Sequence, residues 1–231
     1  MSSPISKEKK SLFDSLLIFL HQRLSHRTRV AILADKFSSL IRQNAPGKDV
    51  IKCLDIGCGD MVIAEKIQER DPAVQFKCAD IYPVPENLKT DPRWDKYVCF
   101  DGNSLPFEDQ TFDFVIFCDV LHHTTNESQR KLFREAARVS KYVIVKDHFQ
   151  YGLYSQTVIR FFDRLGNSAY GVDVPANYFS EASFASLCDD GGLKPVQWIR
   201  GITLYAHLPF LYLVMRRSWE FMAVLGNKDS K

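Results

Sequence analysis

The 231 residues are 45% hydrophobic and 25% charged, the balance of a soluble globular protein, which excludes disordered and collagen-like classes and fits one domain of α/β size. A formal net charge of +2 is too small for the basic face of a nucleic-acid binder. Cys53, Cys58, Cys78, Cys99, Cys118 and Cys188 include no CxxC pair, so they read as reduced core residues, neither disulfides nor metal ligands.

Between residues 9 and 44 apolar side chains recur at three- and four-residue spacing, among them Leu12, Leu16, Leu20, Leu24, Ile32, Leu40 and Ile41. That spacing predicts two amphipathic helices, stopped by Pro46 and Gly47. The apolar run Leu12 to Leu20 carries Asp14 and meets no small-residue cleavage site; no secretory leader is read there, and the expectation is a cytoplasmic protein. Strand-like and helix-like segments then alternate: Val50 to Asp55, Val62 to Arg70, Val74 to Asp80, Phe112 to Asp119, Ser128 to Val139 and Tyr142 to Asp147. This rhythm predicts a parallel sheet with helices on both faces. Thr124 with Glu127 fits a capping box for the helix over 128–139.

From His148 to Phe179 the rhythm breaks into a segment rich in aromatics, Gly, Asn and Pro, with one helix expected from about Ser155 to Leu165. It reads as an insertion over the sheet, and loops of this length are usually functional or disordered. Ser180 caps a further helix ending at Gly191 and Gly192, and Pro195 to Ile202 and Glu220 to Leu225 read as the last two strands. Ile202 to Met215 is apolar but is broken by His207 and Pro209, and at 14 residues it is shorter than the ~20 a membrane span needs.

The run Cys53-Leu54-Asp55-Ile56-Gly57-Cys58-Gly59-Asp60 is a buried strand entering a glycine turn that opens a helix, where ligands approach the backbone of open α/β sheets. Asp80 ends the next strand 23 residues after Gly57, a place where an acid takes a ribose diol. A nicotinamide cofactor and S-adenosylmethionine both fit so far. A pyrophosphate binder wants a third glycine where Val62 stands, and the Asp55 and Asp60 carboxylates repel pyrophosphate while suiting an ammonium and a sulfonium. The charge pattern favours S-adenosylmethionine.

Leu54-Asp55-Ile56-Gly57-Cys58-Gly59, Ala79-Asp80, Asp101-Gly102-Asn103-Ser104-Leu105-Pro106-Phe107 and Phe112-Asp113 through Asp119-Val120-Leu121-His122-His123 resemble, in order and spacing, the successive motifs of the type 11 class I methyltransferases. The resemblance covers about residues 50 to 147. It implies a Rossmann-like, doubly wound, seven-stranded, mostly parallel sheet with the last strand antiparallel. The organisation it suggests is a single domain, with N-terminal helices (1–47), a cofactor-binding core (48–147), a lid insertion (148–179) and a C-terminal helix with the last strands (180–231). It further implies that Asp55, Gly57 and Gly59 line the methionine moiety, that Asp80 with Ile81 beside it holds the ribose, that Asp101 and Gly102 flank adenine, and that Asp119 faces the sulfonium and acceptor. S-adenosyl-L-homocysteine is then the product. The family usually has glycine at position 61, where this chain has Met61.

Methyl transfer disperses charge and depends mainly on in-line positioning. A protonated acceptor also needs a base, and His123 and His148 are the candidates by their ordinary pKa. As neighbours on an extended strand end, His122 and His123 point to opposite faces and do not form a metal site. Lys146-Asp147-His148 reads equally as a solvated strand exit and as a source of base. Phe149, Tyr151, Tyr154, Tyr170, Tyr178 and Phe179 read as core and lid packing. Tyr142 and Lys146 match a YxxxK pattern but, ~13 Å apart on one strand, cannot form an acid-base pair. The acceptor expected is a small, partly apolar molecule, with no nucleic acid and no membrane span. A cofactor-binding pseudoenzyme or partner module, resting on Met61, is the alternative.

Overall fold

In the computed structural model, residues 26–167, 178–205 and 207–228 are described; the first of the two expected N-terminal helices lies outside them, as does Tyr170. Seven strands form one sheet in the order β3-β2-β1-β4-β5-β7-β6: β1 (Ile51–Ile56), β2 (Val74–Asp80), β3 (Tyr97–Cys99), β4 (Phe112–Cys118), β5 (Ser140–His148), β6 (Leu193–Arg200) and β7 (Glu220–Asn227). β1 pairs parallel with β2 and β4, β2 with β3, and β4 with β5, whereas β7 runs antiparallel to both β5 and β6. The mostly parallel sheet with an antiparallel last strand is thus as expected. β3 escaped the alternation read from sequence because it is only three residues long and is not buried.

The central strands are apolar on both faces because both are covered. Phe114 and Ile116 of β4, Ile144 of β5 and Met222 and Val224 of β7 pack with Leu33, Phe37, Leu40 and Ile41 of α1 (Arg27–Asn44) and Ala64 and Ile67 of α2 (Val62–Arg70). The alternating residues Val115, Phe117, Val143, Val145, Ala223 and Leu225 pack with Leu132, Phe133 and Ala136 of α3 (Asn126–Val139) and with Phe184 and Leu187 of α5 (Glu181–Asp190). α4 (Leu153–Asn167) supplies Ile159 to a separate small cluster with Tyr178, Met215 and Trp219. Phe149, just after β5, forms an isolated parallel bridge with Phe179.

Local corrections have local causes. Thr125, not Thr124, caps α3, its hydroxyl accepting from the Ser128 N–H, because Thr124 closes the preceding 3-10 turn Leu121–His123 by donating to the Leu121 carbonyl. α5 has the expected Ser180 cap, reciprocated by Ser183. All six cysteines are free, but Cys99 on β3 is exposed and not a core residue.

Candidate active site

Strand carboxyl ends converge where β1, β2 and β4 stop. Gly57 follows β1 with φ +71°, and a Cβ there would lie 2.5 Å from Val120 Cγ2 and 2.6 Å from Cγ1, so no side chain fits between this turn and the exit of β4. Gly59, also left-handed at φ +52°, donates its N–H to Asp80 Oδ2 at 2.9 Å. Asp80 Oδ1 accepts from the Ile81 N–H at 2.7 Å. A small cleft of about 70 Å³ opens beside the turn, walled by Arg29, Asp55, Gly57, Cys58, Asp60 and Cys118, among others. Burial, with the Asp80 and Asp60 charges adding to it, raises the Asp55 carboxyl to about 7.

Met61, where the family has glycine, holds the left-handed conformation (φ 62°) and is fully buried among the α1 and α2 side chains. The turn therefore keeps its shape. Such a conformation costs an ordinary residue ~1–2 kcal/mol, and the buried thioether side chain offsets it. On the neighbouring strand ends Asp101 accepts from the Asn103 and Ser104 N–H groups at 2.8 Å each, and a Cβ on Gly102 would lie 3.2 Å from Ile81 Cγ2. Ile81, Asp101 and Gly102 thus adjoin, with Ile81 half exposed.

Asp119, at φ 55°, ends β4 facing inward charge. Its carboxylate is ion-paired with Arg29 of α1 and, at 2.6 Å, with the Lys146 ammonium, which also meets Glu220 at 2.6 Å and is wholly buried. Burial opposes ionisation of Asp119, but Lys146 and Arg29 outweigh it and hold the carboxyl well below its usual range. Lys146 and Asp147 are both fully buried, so the tripeptide 146–148 is not a solvated strand exit; Asp119 and Glu220 hold Lys146 inside instead. His148 lies 3.1 Å from Glu220 Oε1 and 3.3 Å from Asp119 Oδ1. Burial would lower this imidazole, yet Glu220 and the other carboxylates raise it to about 9.

His122 and His123 occupy a 3-10 turn and not an extended strand end, which overturns the premise that they diverge. Their rings lie 4.2 Å apart, and the Nε2 atoms stand 3.4 and 3.9 Å from Asp163 Oδ2 of α4. His122 Nδ1 is 2.6 Å from Asp147 Oδ1, and the Tyr178 hydroxyl donates to Asp163 at 3.0 Å. A cavity of about 320 Å³, walled by His122, Gln129, Arg130, Gln150, Tyr178 and Ser183, among others, opens beside this cluster. Of the aromatic set, Phe149 is core, stacked on Phe221 at 4.0 Å, while the exposed Tyr151 and Tyr154 donate their hydroxyls to Glu181 and to the Val214 carbonyl. Sequence reasoning missed Arg29, Asp163 and Glu220. The buried charge inside the apolar run of β5 was the available signal.

A glycine turn, an acid ending β2 and an Asx turn after β3, all at one end of a 3-2-1-4-5-7-6 sheet, define a class I methyltransferase fold. Residues 54–142 match the family model described as methyltransferase domain, and this segment is an S-adenosylmethionine-dependent methyltransferase domain of type 11. Among solved structures, Burkholderia thailandensis 1,6-didemethyltoxoflavin-N1-methyltransferase with S-adenosylhomocysteine bound superposes with a TM-score of 0.60 at 13% identity, covering 98% of this chain and 95% of its own. A putative sarcosine dimethylglycine methyltransferase from Galdieria sulphuraria gives 0.59 at 18% identity, covering 86% and 85%. Mitomycin 7-O-methyltransferase gives 0.57 at 15% identity over 87% of this chain, which spans only 53% of that protein. No curated protein sequence matches significantly. Among the described residues no helix is long and apolar enough to cross a membrane.

Proposed function

We propose that the chain is one methyltransferase domain that moves the methyl group of S-adenosylmethionine in line onto a small acceptor, leaving S-adenosylhomocysteine. The Gly57 turn carries this reading: its close approach to Val120 clears the strand ends for a ligand beside Asp55. In the proposal Asp55, Gly57 and Gly59 receive the methionine end, with the carboxylates facing its ammonium. Asp80 and Ile81 receive the ribose, Asp101 and Gly102 the adenine, and Asp119 helps shape the far wall. The acceptor occupies the side of the 148–179 insertion, where the polar wall of the 320 Å³ cavity suits a molecule with hydrogen-bonding groups beside an apolar part. His148, with its imidazole raised to about 9, is an imidazolium at neutral pH; it serves better as a charge partner of Glu220 than as a base. His123 remains as the proposed proton acceptor.

The free cysteines fit a reducing cytoplasm, and the small net charge fits a small-molecule acceptor better than a nucleic acid. Incubation with methyl-labelled S-adenosylmethionine and a panel of small oxygen and nitrogen nucleophiles tests the reading. Label in a low-mass product is expected; label transferred only to RNA or protein would overturn it.

A further inference from the structure

His122 is wholly buried, and its Nε2 makes no hydrogen bond among the described residues; the Asp163 carboxylate stands 3.4 Å from it. Burying a polar atom without a hydrogen bond costs about 1–3 kcal/mol, so this nitrogen points to something that completes its bonding. Two sets of side chains could ligate a cation. Asp119, Asp147, His122 and His148 form the first, but Arg29 and Lys146 already neutralise Asp119, and a dication there would sit against both. His122, His123 and Asp163 form the second.

We propose that His122, His123 and Asp163 bind one first-row divalent cation of the borderline kind, for which zinc is the natural probe. Two imidazoles and one carboxylate are the donor set such ions prefer over magnesium or calcium. Ligand bonds of about 2.0–2.1 Å in a tetrahedral site put donor atoms about 3.4 Å apart. His122 Nε2 stands 3.4 Å from Asp163 Oδ2, and His123 Nε2, on a partly exposed side chain, stands 3.9 Å from it. The Nδ1 of His122 meets the Asp147 carboxylate at 2.6 Å. That is the outer contact that fixes the tautomer of a ligating imidazole and aims Nε2 at the metal. Three protein ligands leave a fourth position, and His122 also walls the 320 Å³ cavity, the space proposed for the acceptor.

This inference rests on the methyl-transfer reading for its purpose. There the cation would hold an acceptor hydroxyl or amine and lower its pKa, the proton leaving to water. The acceptor lone pair then forms the bond to the methyl carbon while the carbon–sulfur pair stays on sulfur as the neutral thioether.

The test is a calorimetric zinc titration of chelator-treated full-length protein, paired with the visible spectrum of its cobalt(II) form and with S-adenosylhomocysteine titrations of the same samples. One zinc per chain is expected, with affinity falling at least tenfold in His123→Gln and in Asp163→Asn. Asp147→Asn should lose about 10–100-fold, and His207→Gln, an exposed histidine away from the cluster, should lose nothing. His123 is partly exposed, so its variant should fold even if a His122 variant does not. Absence of saturable binding at one equivalent, or equal binding by His123→Gln and Asp163→Asn, overturns the site while leaving the methyl-transfer reading intact if S-adenosylhomocysteine still binds. Zinc binding without any nucleoside binding sinks that reading and keeps the site.

Discussion

Gly57→Ala tests the proposed cofactor turn with one methyl group. Two costs add. The residue stays at φ +71°, where an L side chain loses ~1–2 kcal/mol. Its Cβ also meets Val120 Cγ2 at 2.5 Å and Cγ1 at 2.6 Å, an overpacking that costs ~1–3 kcal/mol. The expected sum is ~2–5 kcal/mol, divided between folding stability and cofactor affinity according to whether the turn or the cofactor gives way. Urea unfolding and a parallel S-adenosylhomocysteine titration measure both shares. The double variant Gly57→Ala with Val120→Ala removes the two closest contacts, leaves the Val120 Cβ at 3.1 Å and keeps the strain, so it should recover part of the affinity lost by the single variant. If Gly57→Ala changes stability and affinity together by less than ~0.5 kcal/mol, the close approach of β1 and β4 exits is not what shapes the site.

Asp80→Ala should weaken S-adenosylmethionine binding by more than ~1.5 kcal/mol through loss of an ionised acceptor; unchanged affinity refutes the ribose assignment. Because burial raises the free Asp55 carboxyl to about 7, binding a cationic ligand beside it favours ionisation and releases a proton. Affinity should therefore rise from pH 6 to pH 7.5 and level off above, and Asp55→Asn should flatten that rise. Lys146→Met leaves Asp119 and Glu220 buried with one ion pair fewer and should cost ~3–5 kcal/mol in denaturant unfolding; a loss under ~1 kcal/mol would mean the triad is hydrated. Tyr178→Ala, which opens the cavity wall and removes one hydrogen-bond donor to Asp163, should leave cofactor affinity nearly unchanged and lower turnover.

The strands that flank the glycine turn were legible because their chemistry is local: an apolar run, a glycine pair and an acid at the next strand end fall within 30 residues of one another, from Ile51 to Asp80. The inner polar cluster was not, since Arg29, Asp119, Lys146, Asp163 and Glu220 come from five separate elements and meet only in the folded sheet. Lys146 was misjudged through its own polarity, which makes exposure the default; its stem and ammonium are buried because two carboxylates wait for it. The histidine pair was misjudged through its neighbours. Val120 and Leu121 extend the apolar run of β4 in sequence, but Asp119 turns left-handed and the chain coils into a 3-10 turn that brings both rings to α4.

The strand-end cleft is proposed as the S-adenosylmethionine site. Calorimetric titration of the unmodified protein with S-adenosylhomocysteine and with NAD, repeated on Asp80→Ala, tests that most directly. Saturable one-to-one binding of S-adenosylhomocysteine, weakened in the variant, with no NAD binding at the same concentrations, is the predicted result. Tight NAD binding, or S-adenosylhomocysteine binding indifferent to Asp80, would contradict it.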